Sequence, residues 1–103
     1  MIVNDKDFKL PSRTEVAVLE LLFGKEMYGL EMVKASDRLN RGSIYVILNR
    51  MEDKGLVSSR VMETTGPSAG RRIYSITGLG QRAYAAWQQA QAAFGLAWNT
   101  GVV

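Results

Sequence analysis

The 103-residue chain is long enough for one domain with one modest core, and 47% of its residues are hydrophobic, which excludes wholesale disorder. It has neither cysteine nor histidine, which removes disulfides, thiolate metal sites, the commonest general base and the commonest transition-metal ligand, so no enzyme and no cofactor are expected. The net charge of +3 is unevenly spread: residues 1–33 sum to −2, residues 34–72 to +4, and residues 73–103 carry only Arg82, so the middle of the chain is the part expected to face an anion.

The first residues, MIVNDKDFK, mix charge and hydrophobes without period and read as part of a flexible arm over 1–11. They lack the apolar stretch of a signal peptide, and no apolar run approaches the ~20 residues that cross a bilayer, so a cytoplasmic protein is expected. A helix begins near Ser12, which stands three residues before Glu15 as in a capping box. Val16, Leu19, Leu22 and Phe23 give it one apolar stripe, and Gly24 suits its end. A second, short helix spans roughly Tyr28 to Ala35, with Tyr28, Leu30, Met32 and Val33 assigned to the core.

The third helix is expected directly after Asn40, a good N-cap. Ile44, Ile47, Leu48 and Met51 form its core face, with Gly42, Tyr45, Val46, Asn49, Arg50 and Asp53 opposite, and Gly55 ends it. The period then changes to two over residues 57–62, and again from Arg71 to Ile76. The segment between, Thr64 to Gly70, is a turn by composition, so the two runs make an antiparallel hairpin. Thr77 caps a last, alanine-rich helix of about twenty residues. Along it Ala83, Trp87, Ala90, Phe94 and Ala97 are spaced 4, 3, 4 and 3, a seam longer than one small domain needs. With Trp98 they are the candidate dimerisation residues, the occupant being a second copy.

The fold class expected is mainly α with a small β-hairpin: three helices and a wing, the winged helix-turn-helix order, over 12–76, then a C-terminal dimerisation helix over 77–103. In that arrangement the third helix enters the major groove and the wing lies along the backbone or minor groove.

The run Met27-Tyr28-Gly29-Leu30-Glu31-Met32 resembles the Tyr-Gly-x-Glu-Ile opening of the second helix in PadR-like regulators. Gly42-Ser43-Ile44-Tyr45 resembles their Gly-Thr-Leu-Tyr, and residues 48–57 their Leu-x-Arg-Leu-Glu-x-x-Gly-Leu-Ile. Gly66-Pro67, Arg71 to Thr77 and Gly80 resemble the wing and its exit. Val46 stands where the family usually has proline, and one helix follows the wing where many members carry more. The resemblance implies a dimeric repressor of operator DNA with a C-terminal helical dimerisation region.

Arg41, Gly42, Ser43, Tyr45, Asn49, Arg50, Arg71 and Arg72 form the candidate DNA-binding set. Ser43 and Tyr45 can donate hydroxyl hydrogen bonds to phosphate, Asn49 can pair with adenine and Arg50 with guanine. Arg50 has an equally open alternative in pairing with Glu52 or Asp53, and Tyr45 another in packing at a helix junction. Arg71 and Arg72 suit backbone or minor-groove contact, and Arg60 a solvated hairpin edge. Trp87 and Trp98 are assigned to dimer core, with a stacked small-molecule effector as the other reading. A winged-helix module that binds protein, an antirepressor or adaptor, is the alternative function.

Overall fold

The computed structural model describes residues 9–62, 65–67 and 70–102, and side chains only as far as Phe94; most of the expected arm lies outside it. The elements are α1 (Arg13–Leu22), β1 (Met27–Tyr28), α2 (Gly29–Ala35), α3 (Ile44–Asp53), β2 (Val57–Val61), β3 (Arg72–Ile76) and α4 (Gly78–Val102).

The capping box forms as its spacing predicts. The Ser12 hydroxyl accepts from the Glu15 N–H (3.3 Å), and the Glu15 carboxylate accepts from the Ser12 N–H (2.9 Å). Val16, Leu19 and Leu22 are buried, but Phe23 is exposed because the helix has already ended, with Gly24 at φ 80° behind it. The α3 terminus is a Schellman motif. Gly55, also at φ 80°, donates to the Glu52 carbonyl, and Leu56 donates to that of Met51 (both 2.9 Å).

Three expectations need correction. The sheet has three strands, not two: β3 lies between β1 and β2, antiparallel to both, with Met27 opposite Tyr74 and Val57 opposite Ile76. Within α2 it is Met32 that is fully buried, with Val33 partly so, whereas Leu30 is exposed. Tyr28 is half-buried and precedes the helix, its N–H donating to the Glu31 carboxylate (2.8 Å). The third helix starts at Ile44, later than expected. Asn40 caps a turn over 41–43 instead, accepting at Oδ1 from both the N–H and the hydroxyl of Ser43 (3.0 Å each).

The core lies where α1, α3 and the sheet converge: Val18, Leu19, Ile44, Leu48, Met51 and Tyr74 are all but inaccessible. The first turns of α4 belong to it. Thr77 accepts from the Gly80 N–H (3.0 Å) while donating to the Gly55 carbonyl (2.5 Å), and Ala83 is 5% exposed. Farther along, Tyr84 donates to Glu20 of α1 (3.1 Å), its ring 5.0 Å from Phe23 and 6.0 Å from Trp87.

Glu15 also accepts from the Lys54 ammonium (2.8 Å), tying the start of α1 to the end of α3. Burial of this carboxyl works to raise its pKa, but the hydrogen bonds and charge of Lys54 and the Ser12 amide outweigh that and lower it. A pKa depressed on folding stabilises the fold above the unfolded carboxyl's pKa and ceases to do so as pH falls through the folded value. Glu15→Gln keeps the capping geometry and removes the charge, so it should cost about 1–2 kcal/mol at pH 7. Urea titrations from pH 7 down to pH 3 should show the gap between variant and wild type closing below about pH 4.5. A gap independent of pH would exclude this role for the carboxylate.

Candidate nucleic-acid interface

Four cations meet in a cleft of about 550 Å³ between α2, the turn before α3, and the wing. Lys34 comes from α2, Arg41 from the turn, Arg72 from the start of β3 and Arg71 from the residue before it; Glu31 is the one acidic side chain of the lining. Tyr28 and Tyr45 supply its aromatic walls. Tyr45 is held there by a close approach. A Cβ on Gly29 would stand 2.9 Å from the Tyr45 ring, so only glycine admits the ring at this spot. The ring thus packs at the junction of α2 and α3, as one of its two readings expected, while Tyr45 stays 45% exposed.

The two wing arginines are pre-arranged. The Arg71 guanidinium lies over the Tyr28 ring, 5.8 Å from its centroid, in cation–π range. Arg72 donates to the Ser59 hydroxyl (3.0 Å), which donates to the Glu52 carboxylate (2.8 Å). Glu52 is therefore engaged with the sheet rather than with Arg50. Arg60 is in neither group: both its terminal nitrogens donate to Glu26, which raises the guanidinium's pKa and lowers the carboxyl's.

At about 100° per residue, α3 turns Ile44, Leu48 and Met51 inward and Val46, Asn49 and Asp53 outward. Tyr45 flanks this outward stripe on the cleft side. Arg50 flanks it on the other, lining a shallow groove with Lys54 and the first turn of α1. Asn49 and Arg50 are exposed, and among the described residues neither is held by a hydrogen bond or ion pair within the chain. Gly42 and Arg41 are exposed in the turn. Ser43 is half-buried, and its hydroxyl proton is engaged by Asn40, so the donor read for phosphate is already in use.

The structure therefore joins Arg41, Tyr45, Arg71 and Arg72 in one cleft and leaves Asn49 and Arg50 on the open helix face. Lys34 and Tyr28 were missed as members. The charge bias beginning at residue 34 pointed to the lysine, while the tyrosine was assigned to the core.

On α4, Ala83 is turned into the domain's own core and not toward a partner. Trp87 is half-buried, Ala90 is exposed, and Phe94 is 68% exposed. The side chains of Ala97 and Trp98 lie outside the described residues, and with them any pocket between the two tryptophans. Among the described residues no helix is long and apolar enough to cross a membrane, and no group of three or more acidic side chains could hold a metal ion.

The sequence model of the transcriptional regulator PadR-like family matches residues 18–86. No curated protein matches the chain. Among solved structures, a PadR family transcription regulator from hypervirulent Clostridium difficile R20291 superposes with a TM-score of 0.78 at 24% identity, covering 89% of this chain and 100% of that one. A PadR-like transcription factor from Bacteroides fragilis gives 0.75 at 22% identity, over 84% and 87% of the two chains. Bacillus subtilis PadR in complex with operator DNA gives 0.67 at 22% identity, over 76% of this chain and 48% of that one. At these identities the likeness is one of fold.

Proposed function

Since the chain belongs to the PadR-like family of transcriptional regulators, we propose that it is a homodimeric repressor in the cytoplasm that binds a pseudo-palindromic operator through α3 and the wing. The observation that carries this reading is the cleft. Lys34 and Arg41 lie thirty residues and more before Arg71 and Arg72, yet all four fold onto one surface beside the open face of α3. Such a surface neutralises a phosphate backbone while the helix beside it reaches base edges. The DNA bound by the Bacillus subtilis protein supports the same partner here.

Residues 12–76 then form the DNA-binding part and 77–103 the dimerisation part, with 1–11 an arm. The division is one of role, because Gly80 and Ala83 are packed into the DNA-binding part's core. Arg41, Arg71, Arg72 and Tyr45 hold phosphates, and Gly42 lets the backbone approach. Ser43 keeps the turn in shape, and Asn49 and Arg50 face bases. Trp87, Ala90 and Phe94 lead the seam toward the second copy, continued by Ala97 and Trp98.

Anisotropy titrations on operator and scrambled DNA at several salt concentrations test this. Arg71→Ala and Arg72→Ala should weaken both DNAs alike and lower the salt slope by about one ion each. Asn49→Ala should lose roughly 1–3 kcal/mol at one base pair only. Half-site centres should lie about 10 base pairs apart or a multiple of that. Unchanged affinity in all three folded variants would move the protein to the alternative, a winged-helix module that binds protein.

A further inference from the structure

The outward stripe of α3 is an unusual match for a phosphate backbone. Its first position is Val46, 56% exposed, with Asn49 one turn on and the carboxylate of Asp53 two turns on. The cations assigned to phosphate stand aside, in the cleft, and Arg50 lies on the flank toward α1. A β-branched residue in an exposed helix position also lowers helix propensity relative to its straight-chain alternatives. An apolar, stiff side chain at the start of this otherwise polar, open stripe therefore adds nothing to the core.

Resting on the reading of α3 as the groove-entering helix, we propose that Val46 is a specificity-determining residue that packs on the 5-methyl group of a thymine. The major groove offers one apolar group, the thymine methyl; every other feature of its edge pattern is a hydrogen-bond donor or acceptor. Val46 carries two methyls and no polar atom, so it gains by covering that group and loses wherever its place on the groove floor is taken by an amino or carbonyl group. Asn49, one turn along the helix, has the amide that pairs with adenine. From the helix rise and the spacing of base pairs, the thymine should lie within about two base steps of the position Asn49 reads.

The test replaces each thymine of a selected operator by deoxyuridine, which removes the methyl and keeps the pairing edge. Wild type should lose about four-fold in affinity at one position per half-site, the worth of one buried methyl. Val46→Ala, which keeps the helix, should bind the thymine and uridine operators equally. Wild-type binding that is sequence-specific yet indifferent to every substitution would overturn the proposal and leave the DNA-binding reading standing. So would the same uridine penalty in Val46→Ala. Failure to select any sequence would remove that reading, and this proposal with it.

Discussion

Gly80→Ala is expected to destabilise the domain by about 3 kcal/mol or more, lowering Tm by about 12 °C or more, the upper end of what overpacking costs. A Cβ at this position would stand 2.1 Å from the Leu56 carbonyl oxygen and 2.8 Å from the Ile76 side chain. The oxygen cannot move aside, since it already accepts the Thr77 N–H (3.1 Å) that seats the start of α4. Relief would require the helix to lift from the sheet, opening the contact that buries Ala83. Gly78→Ala is the control. Its Cβ would meet only the tip of Arg82, at 3.6 Å, so the stability should be unchanged or raised by less than about 1 kcal/mol. Melts followed by circular dichroism decide the matter: if the two variants melt together, α4 is not seated as described.

Phe94→Asp is expected to convert the proposed dimer to a folded monomer and to weaken operator binding by about 100-fold or more. Phe94 is 68% exposed in the protomer, so a carboxylate there costs the isolated domain little. In a helical seam the same carboxylate would be buried without a partner, at a cost of several kcal/mol. The loss of DNA affinity follows from geometry. A dimer that has bound one half-site presents its second helix to the other at high effective concentration, and a monomer does not. Trp87→Asp tests the same seam less cleanly, because Trp87 also stacks on Tyr84 within the protomer. Sedimentation and circular dichroism of Phe94→Asp, run beside the wild type, check both halves. A wild type that is monomeric at micromolar concentration, or a variant that stays dimeric, would remove α4 as the dimer interface.

The cleft shows how far a charge count reaches. The bias over residues 34–72 marked the cation-rich part of the chain, but it held eight cations and could not sort them. Lys54 and Arg60 turned out to be paired with Glu15 and Glu26, while Arg41, Arg71 and Arg72 converge with Lys34. The sorting depends on which acidic group each side chain reaches after folding, and those partners lie tens of residues away along the chain.

The sequence by itself determined what neighbouring residues decide among themselves. The Ser12–Glu15 capping box, the glycine ends of α1 and α3, the Ile44–Leu48–Met51 face and the Thr77 cap each need only a few consecutive residues, because they rest on local hydrogen bonds and helical period. Only the tertiary structure decided the rest. Two residues, Met27 and Tyr28, carry no alternation to read, and they became a strand because Tyr74 and Ile73 offered them a ladder edge. In the seven-residue α2 the pattern fits two faces, and packing chose Met32 over Leu30. Ala83 and Phe94 share one heptad spacing, yet one is covered by the protomer's own core and the other is open. Periodicity specifies that a face of a helix is apolar; what covers that face is set by the elements brought against it when the chain folds.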